Sequence, residues 1–209
     1  MQKLESSVER DLLWRKREIS HIYLQIQAAE GDIQIALLRA ALVMLYAHWE
    51  GFIKNTTEQY INFINRQGLV CKRIKYNFAI LLFKKQLEDI ANTNKHAFAC
   101  NVYKKIVEEQ NICIKMHENI DTKSNLNKNV FEDILFLINA KVEKYENKLK
   151  IIDSLVDDRN HIAHGRQVNI QIEKYKNICD NMLDTMDIYK NDIIDMCINR
   201  AFEIEEDFS

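Results

Sequence analysis

The segment IQIALLRAALVMLYAHWEGFIKNTTEQYINFINR, residues 33–66, decides the fold of this chain. Apolar side chains recur in it every three or four residues, which is the spacing of one face of an α-helix. They are Ile33, Leu37, Leu38, Ala41, Leu42, Leu45, Trp49, Phe52, Ile53, Tyr60 and Phe63. We therefore predict one long central helix, with Asp32 as its N-cap and Gln67-Gly68 at its end.

The same helical spacing continues on both sides of this segment. It predicts further helices over residues 3–29, 78–90, 97–116, 130–138, 141–162 and 170–201. The chain has no proline and only four glycines in 209 residues, so little in it breaks a helix. The predicted fold is all-α, a bundle of long helices in a single domain spanning residues 1–209. Residues 71–126 are less regular and look like a helical insertion that carries specificity, and the acidic tail, residues 203–209, is expected to fray.

Composition limits the kinds of partner that the protein has. Lysine and arginine number 29 against 31 aspartates and glutamates, a net charge of −2, so no overall positive field attracts nucleic acid. RNA binding must then be local, or arise where two chains meet. The five cysteines are widely spaced without a C-x-x-C pair, which predicts neither a zinc site nor disulfides, but buried thiols in a reducing cytoplasm.

Nothing in the sequence suggests export or membrane insertion. The first residues lack the apolar core of a signal peptide. The most apolar run, residues 35–46, is interrupted by Arg39 and is too short to span a bilayer. We expect a cytoplasmic protein that does not engage a membrane and that requires no cofactor.

The run LVDDRNHIAHG, residues 155–165, contains the side chains best suited to chemistry. Arg159 and His164 are five residues apart, which leaves them about 140° apart around a helix. Asn160 and His164, four residues apart, share a face. We predict that His164 and Asn160 point into one groove, to which the long Arg159 side chain reaches round. A second copy across a two-fold axis would place two arginines and two histidines around one phosphate.

These residue types suit metal-free cleavage of RNA, which carries its own nucleophile, the 2′-OH. Histidine is the residue type best suited to take up and give back a proton at physiological pH, so His164 is the predicted acid/base group. Arg159 stays charged and holds phosphate oxygens through two N–H groups. Asn160 orients the phosphate or the imidazole. The sequence has no carboxylate cluster with metal-ligand spacing, so no metal is predicted, and the products should carry 2′,3′-cyclic phosphate and 5′-OH ends.

The pattern Arg159-Asn160-x-x-x-His164, followed by Gly165, resembles the R-x(4–6)-H motif of the HEPN superfamily (higher eukaryote and prokaryote nucleotide-binding domains). The run YAHWEGFI, residues 46–53, is similar to a second-helix segment in a prokaryotic branch of HEPN toxin and defence proteins. The resemblance covers the helical plan from about residue 10 to 200. It implies a helical bundle, a homodimer with the active site at its interface, and metal-independent ribonuclease activity. It also implies a cognate antitoxin or a phage-defence partner.

Further polar residues are candidates for supporting roles. Glu50 and His48 lie in the central apolar segment, where a lone buried carboxylate is costly, so Glu50 faces a polar groove or pairs with a cation such as Arg159. His161 competes with His164 for the acid/base role. The candidates for contact with the RNA backbone are Lys72, Arg73, Lys75 and Arg166. A solvated basic face is the alternative for that set.

Two other interpretations of the motif stay open on the sequence alone. In the first, the protein is a non-catalytic module whose pocket binds nucleotide, RNA or a protein partner in a defence system, which the slightly negative charge favours. In the second, the protein is purely structural. His164 then stabilises the C-terminal end of a helix, where a histidine interacts favourably with the helix dipole, and Arg159 is a surface residue.

Overall fold

The computed structural model describes residues 1–117 and 120–204. In this part of the chain seven α-helices follow one another, with two short 3₁₀ turns and no β-strand. The helices are α1 (Gln2–Ala28), α2 (Gly31–Asn65), α3 (Tyr76–Ala91), α4 (His96–Glu109), α5 (Lys128–Leu137), α6 (Glu146–Ala163) and α7 (Ile172–Ile198). The predicted all-α helical bundle is confirmed.

Helix α2 forms the centre of the bundle, as its apolar periodicity predicts. It packs against α1, α6 and α7, and Trp49, Phe52 and Tyr60 on it are fully buried. Trp49 meets Phe131 of α5 edge-on, with ring centroids 4.9 Å apart. Among the described helices only α2 is long and apolar enough to cross a membrane. Its packing against three other helices is typical of the core helix of a bundle.

Helix α1 crosses α2 at a glycine. The Arg15 side chain of α1, only 5% exposed, lies against Gly51, and a Cβ added at Gly51 would be 3.0 Å from Arg15 Nη1. Arg15 is held there by Asp11 (Nε to Oδ1, 3.1 Å) and by the His48 carbonyl (Nη1 to O, 3.1 Å). A glycine inside a helix normally lowers stability. Here the absence of a side chain makes room for a buried cation.

The middle of the chain is a hairpin of α3 and α4 followed by an extended return. Helix α4 packs against α3 and has no buried side chain. The predicted helix over residues 97–116 is wrong in its second half, because α4 ends at Glu109. Residues 112–114 pair instead with the chain after α2, where Cys71 N–H donates to the Ile112 carbonyl and Ile114 N–H to that of Leu69. The β-branched isoleucines favour this extended backbone.

The last two helices are shorter than their apolar patterns predict. A 3₁₀ turn over Val142–Lys144 precedes α6, which begins at Glu146 instead of residue 141. Helix α7 ends at Ile198 instead of residue 201, because Arg200 adopts a left-handed φ of +49° and turns the chain back. Phe202 is thereby fully buried in the core. Periodicity alone does not distinguish a helix end from an apolar residue that returns to the core.

The start of the acidic tail is anchored to the bundle. The Glu203 carboxylate pairs with Arg73 (Oε2 to Nη2, 3.6 Å), and Ile204 N–H donates to the Arg73 carbonyl at 3.0 Å. The prediction of a frayed tail is therefore wrong for residues 203 and 204. Its remaining residues, 205–209, lie outside the described part of the chain.

The cysteines divide into a buried and an exposed group. Cys71, Cys179 and Cys197 are buried, as predicted, and burial raises the pKa of each thiol, that of Cys179 to about 11. Cys100 and Cys113 are exposed. The prediction of five buried thiols is wrong for these two, because α4 buries no side chain and because Cys113 lies on the exposed face of an extended segment that buries Ile114 instead.

Candidate active site at the end of helix α6

Helix α6 ends in a closed turn that fixes the backbone at the motif histidine. His164 is the C-cap residue, and Gly165 after it has a left-handed φ of +74°. Gly165 N–H donates to the Ile162 carbonyl at 3.0 Å, and Arg166 N–H donates to the His161 carbonyl at 2.9 Å. This pair of bonds is the Schellman motif, in which a glycine after the C-cap ends the helix. The backbone thus holds His164 at a fixed point, while its side chain is exposed.

We expect Gly165→Ala to lower the free energy of unfolding by about 1–2 kcal/mol. A Cβ at this position would meet nothing within 4 Å, so the loss comes from the left-handed backbone alone. Gly165→Asn is the matched control, because asparagine adopts this conformation more readily than alanine. Urea denaturation of the three proteins checks the prediction. Equal stability of wild type and Gly165→Ala would contradict it.

The guanidinium of Arg159 is fixed by three neighbours within its own chain. Its Cζ lies 3.7 Å from the centre of the Tyr46 ring, a close cation–π contact. Nη1 donates to Asn160 Oδ1 at 2.7 Å, and Nη2 donates to the Ser124 carbonyl at 3.0 Å. A half-buried side chain with these contacts has one preferred position, in contrast to a solvated surface arginine.

Residues 120–126, which we call the strap, run past α2 and α6 and bond to side chains on both. Thr122 Oγ1 donates to Glu50 Oε1 at 2.7 Å, and Leu126 N–H donates to the Tyr46 hydroxyl at 2.7 Å. On α6, Asn160 Nδ2 lies 3.4 Å from the Oδ1 atom of Asn125 in the strap. The strap therefore joins the two helices around Arg159, and the segment predicted as part of an insertion contributes to the candidate site.

The structure brings part of the predicted site together within one chain. Arg159 reaches Asn160, its neighbour in sequence, and both contact the strap. His164 is exposed, and among the described residues no hydrogen bond or ion pair engages its imidazole. The angular separation of Arg159 and His164 on the helix explains this arrangement. A ligand or a second chain must bridge the two groups if they act together.

Glu50 faces the same region, but with a different partner from the one that the sequence suggested. The predicted ion pair with Arg159 is not formed among the described residues, and the Glu50 carboxylate accepts its hydrogen bond from Thr122 of the strap. Its negative charge still acts on the site, because it adds to the effect of burial in raising the pKa of Tyr46. The strap thus provides the partner of each residue: Thr122 bonds to Glu50, and the Ser124 carbonyl bonds to Arg159.

His48, named with Glu50 as a supporting candidate, lies on the other side of α2, so the structure does not bring it to the site. Two residues turn a helix through about 200°, which leaves residues 46 and 48 about 160° apart, so a face that contains Tyr46 excludes His48. The His48 side chain is 3% exposed and faces α1, with Nε2 at 2.9 Å from Glu18 Oε2 and its ring edge-on to Trp14. Burial lowers the pKa of His48; the Glu18 carboxylate opposes this shift, and the nearby Arg15 adds to it.

The remaining predicted residues divide between the motif and a distant surface. His161 is partly exposed, with Nδ1 at 3.6 Å from Asp157 Oδ2. Arg166 is exposed just beyond the motif. The other three candidates lie where the chain after α2 meets the end of α4 and the C-terminal segment, and they contact Gln110, Phe202 and Glu203: they are Lys72, Lys75 and Arg73. None of these contacts involves α6 or the strap, and contact of the three residues with RNA stays a prediction.

Sequence reasoning missed three contributors to the site. Tyr46 was quoted only as part of a family-like run, although its spacing of four residues from Glu50 places both on one face of α2. Arg39 of α2 donates from Nη2 to the Arg166 carbonyl at 3.0 Å and so adds a cation beside the end of α6. Ser124 acts through its backbone carbonyl, for which a sequence carries no signal.

Comparison with known proteins gives one match. The family model described as RiboL-PSP-HEPN matches residues 10–195, which is most of the chain and includes all of α2, the strap and α6. No curated protein matches the chain significantly. No solved structure does so either. The match covers the residues that form the site and does not assign the chain to the toxin and defence branch suggested by residues 46–53.

Proposed function

The chain belongs to the RiboL-PSP-HEPN family, and from this premise we propose that it is a metal-independent endoribonuclease. Family membership supports a nuclease or RNA-related role in general. One observation carries the finer proposal. His164 presents an exposed imidazole at a rigid helix end, without a hydrogen bond or ion pair to any described residue, five residues from Arg159, whose guanidinium is already fixed in position.

In the proposed reaction the 2′-oxygen of a ribose attacks the neighbouring phosphorus. A His164 imidazole takes the 2′-OH proton, the bond from phosphorus to the 5′-oxygen breaks, and a histidine gives that oxygen a proton. Arg159 binds the non-bridging oxygens and stabilises the charge that builds up on them. Asn160, bonded to Arg159, orients the phosphate. The products are a 2′,3′-cyclic phosphate and a 5′-OH end.

The separation of Arg159 and His164 within one chain supports a homodimer as the active form. In a two-fold arrangement the α6 ends of both copies meet, and one phosphate lies among two arginines and two histidines. One histidine then acts as base and the other as acid. The net charge of −2 agrees with a site whose positive charge is concentrated locally by this pairing.

We place the activity in the cytoplasm, as a toxin of a toxin–antitoxin system or as a phage-defence effector. The similarity of residues 46–53 to such proteins supports this role. A nuclease of this kind requires restraint, so a cognate antitoxin or another defence component is the expected protein partner. RNA is the substrate, with the exposed Arg166 as a contact to its backbone, and neither a cofactor nor a membrane takes part.

A non-catalytic module is the second candidate function, and one feature of the site favours it. Arg159 uses donors on both terminal nitrogens for bonds to Asn160 and Ser124 of its own chain, while His164 has no link to either. A pocket of this kind can bind nucleotide, RNA or a protein partner without turning it over. Binding without cleavage distinguishes this candidate from the nuclease.

The test is a cleavage assay on total RNA with the purified protein in excess EDTA. We expect cleavage in the presence of the chelator, and 2′,3′-cyclic phosphate ends on the products. RNA binding is measured in parallel on a substrate with a 2′-O-methyl group at each ribose, which removes the nucleophile. Retained binding without cleavage of that RNA supports the 2′-OH mechanism. Binding of unmodified RNA without cleavage at any protein concentration would favour the module.

A further inference from the structure

Tyr46 and the strap hold the Arg159 side chain from two sides. The guanidinium lies over the Tyr46 ring at 3.7 Å, while its edge bonds to the Ser124 carbonyl of the strap. We propose that Tyr46 is a positioning residue for Arg159, and that the strap fixes the tyrosine and the arginine together. This inference rests on the proposed nuclease function and identifies what gives its phosphate-binding group a defined position.

The Tyr46 ring is itself firmly placed. It is 4% exposed, and its hydroxyl accepts a hydrogen bond from Leu126 N–H at 2.7 Å. Burial raises the pKa of Tyr46, so the phenol stays neutral and the contact with the guanidinium is one of a cation with a ring face. The ring can therefore serve as a platform that sets the plane of the guanidinium.

A tight turn fixes the backbone of the strap. Lys123 and Ser124 have left-handed φ values of +54° and +49°, and Asn125 N–H donates to the Thr122 carbonyl at 3.1 Å, which closes a tight turn. Side chains other than glycine adopt this backbone only where surrounding contacts enforce it. The bonds of the strap to Glu50, Tyr46 and Asn160 provide that enforcement.

A fixed guanidinium is what recognition of a phosphate requires. The bonds to Asn160 and Ser124 use one N–H on each terminal nitrogen of Arg159, and each nitrogen carries a second. An arginine held in one plane presents such donors as a fork that matches two phosphate oxygens. If the guanidinium is displaced by about 1 Å from this position, the rate of the reaction is expected to fall by about 10²-fold.

The test compares Tyr46→Leu, which removes the ring, with Tyr46→Phe, which keeps it. We expect Tyr46→Leu to lower kcat by about 10²-fold. Tyr46→Phe keeps the ring but loses the bond from Leu126 N–H, so it should lower kcat by a smaller factor, about 10-fold at most. The position of the guanidinium is read by NMR from the Arg159 Nε–H resonance, which the Tyr46 ring current shifts upfield. That shift should disappear in Tyr46→Leu and persist in Tyr46→Phe. If Tyr46→Leu does not fold, Tyr46→Met supplies a longer and more adaptable ring-free variant.

Tyr175→Leu is the control for a merely structural effect, because Tyr175 is a fully buried tyrosine that stacks on Tyr23 of α1. It should lose stability without changing kcat or the Arg159 resonance. In an Arg159→Ala background, Tyr46→Leu should cause no further loss of activity, because it acts through the arginine. Full activity of a ring-free variant, or additive losses, would overturn the proposal. If wild type shows the upfield shift but no cleavage, the nuclease function fails and the contact stands.

Discussion

Replacing His164 by alanine is expected to lower the rate of RNA cleavage by about 10²–10⁴-fold, the usual contribution of a positioned acid/base group. The side chain is exposed, and the backbone hydrogen bonds of His164 do not depend on its imidazole. The free energy of unfolding of the variant should therefore lie within about 0.5 kcal/mol of that of wild type. A loss of activity at unchanged stability separates catalysis from a helix-end role. The measurement is single-turnover cleavage of a labelled RNA in EDTA, with thermal unfolding of the same samples.

His161→Ala is the matched control for this experiment. His161 lies three residues before His164 on the same helix, is also partly exposed, and is already engaged with Asp157. We expect its removal to change the cleavage rate by no more than a few-fold. If His161→Ala abolishes cleavage while His164→Ala does not, the acid/base role belongs to His161, and His161 rather than His164 is the functional partner of Arg159. If neither variant changes a measurable rate, histidine catalysis at this helix end is excluded.

The fold could be predicted from the sequence because most of its helices are amphipathic and few residues interrupt them. The central segment, residues 33–66, has an apolar face that only a helix presents, and α2 matches it closely. Prediction failed where apolar residues serve another purpose. Ile112 and Ile114 form a short extended pairing, and Phe202 returns to the core after a left-handed turn at Arg200.

The candidate site was predictable only in its local part. Arg159, Asn160 and His164 lie within six residues, so their spacing carries information about their arrangement. In the strap, Ser124 lies 35 residues before its partner Arg159, and Leu126 lies 80 residues after its partner Tyr46. The strap sequence has no periodicity that would predict either contact. Its most direct contribution is a backbone carbonyl. Such contacts follow from the tertiary fold and leave no trace in residue spacing.

The misplacement of His48 has a different cause. The helix was predicted correctly, but the face was not, because His48 and Glu50 were considered together as polar residues in an apolar run. They are two residues apart and point in directions about 160° apart. Glu50 shares its face with Tyr46, whereas His48 meets Glu18 of α1. Helical phase, applied to each polar residue separately, would have separated the two.

Arg159→Ala is expected to lower the cleavage rate by about 10³-fold, as loss of a group that stabilises transition-state charge does. It should also lower the free energy of unfolding by about 1–2 kcal/mol, because the contact with Tyr46 and the bond to Ser124 are lost. Arg166→Ala is the control for charge, since it removes one cation from the same corner of the molecule without those contacts. It should leave the free energy of unfolding near that of wild type and weaken RNA binding without lowering the rate at saturating RNA.

Arg159→Lys decides whether charge or geometry matters at this position. Lysine keeps the charge but lacks the planar fork that bonds Asn160 and Ser124 and covers the Tyr46 ring. We therefore expect Arg159→Lys to recover little of the activity that alanine loses, and raising the RNA concentration not to restore the rate. Recovery at saturating RNA would show that Arg159 contributes affinity alone. Together with an active His164→Ala, that outcome would place the chemical step outside the motif, because neither motif residue would then act on it.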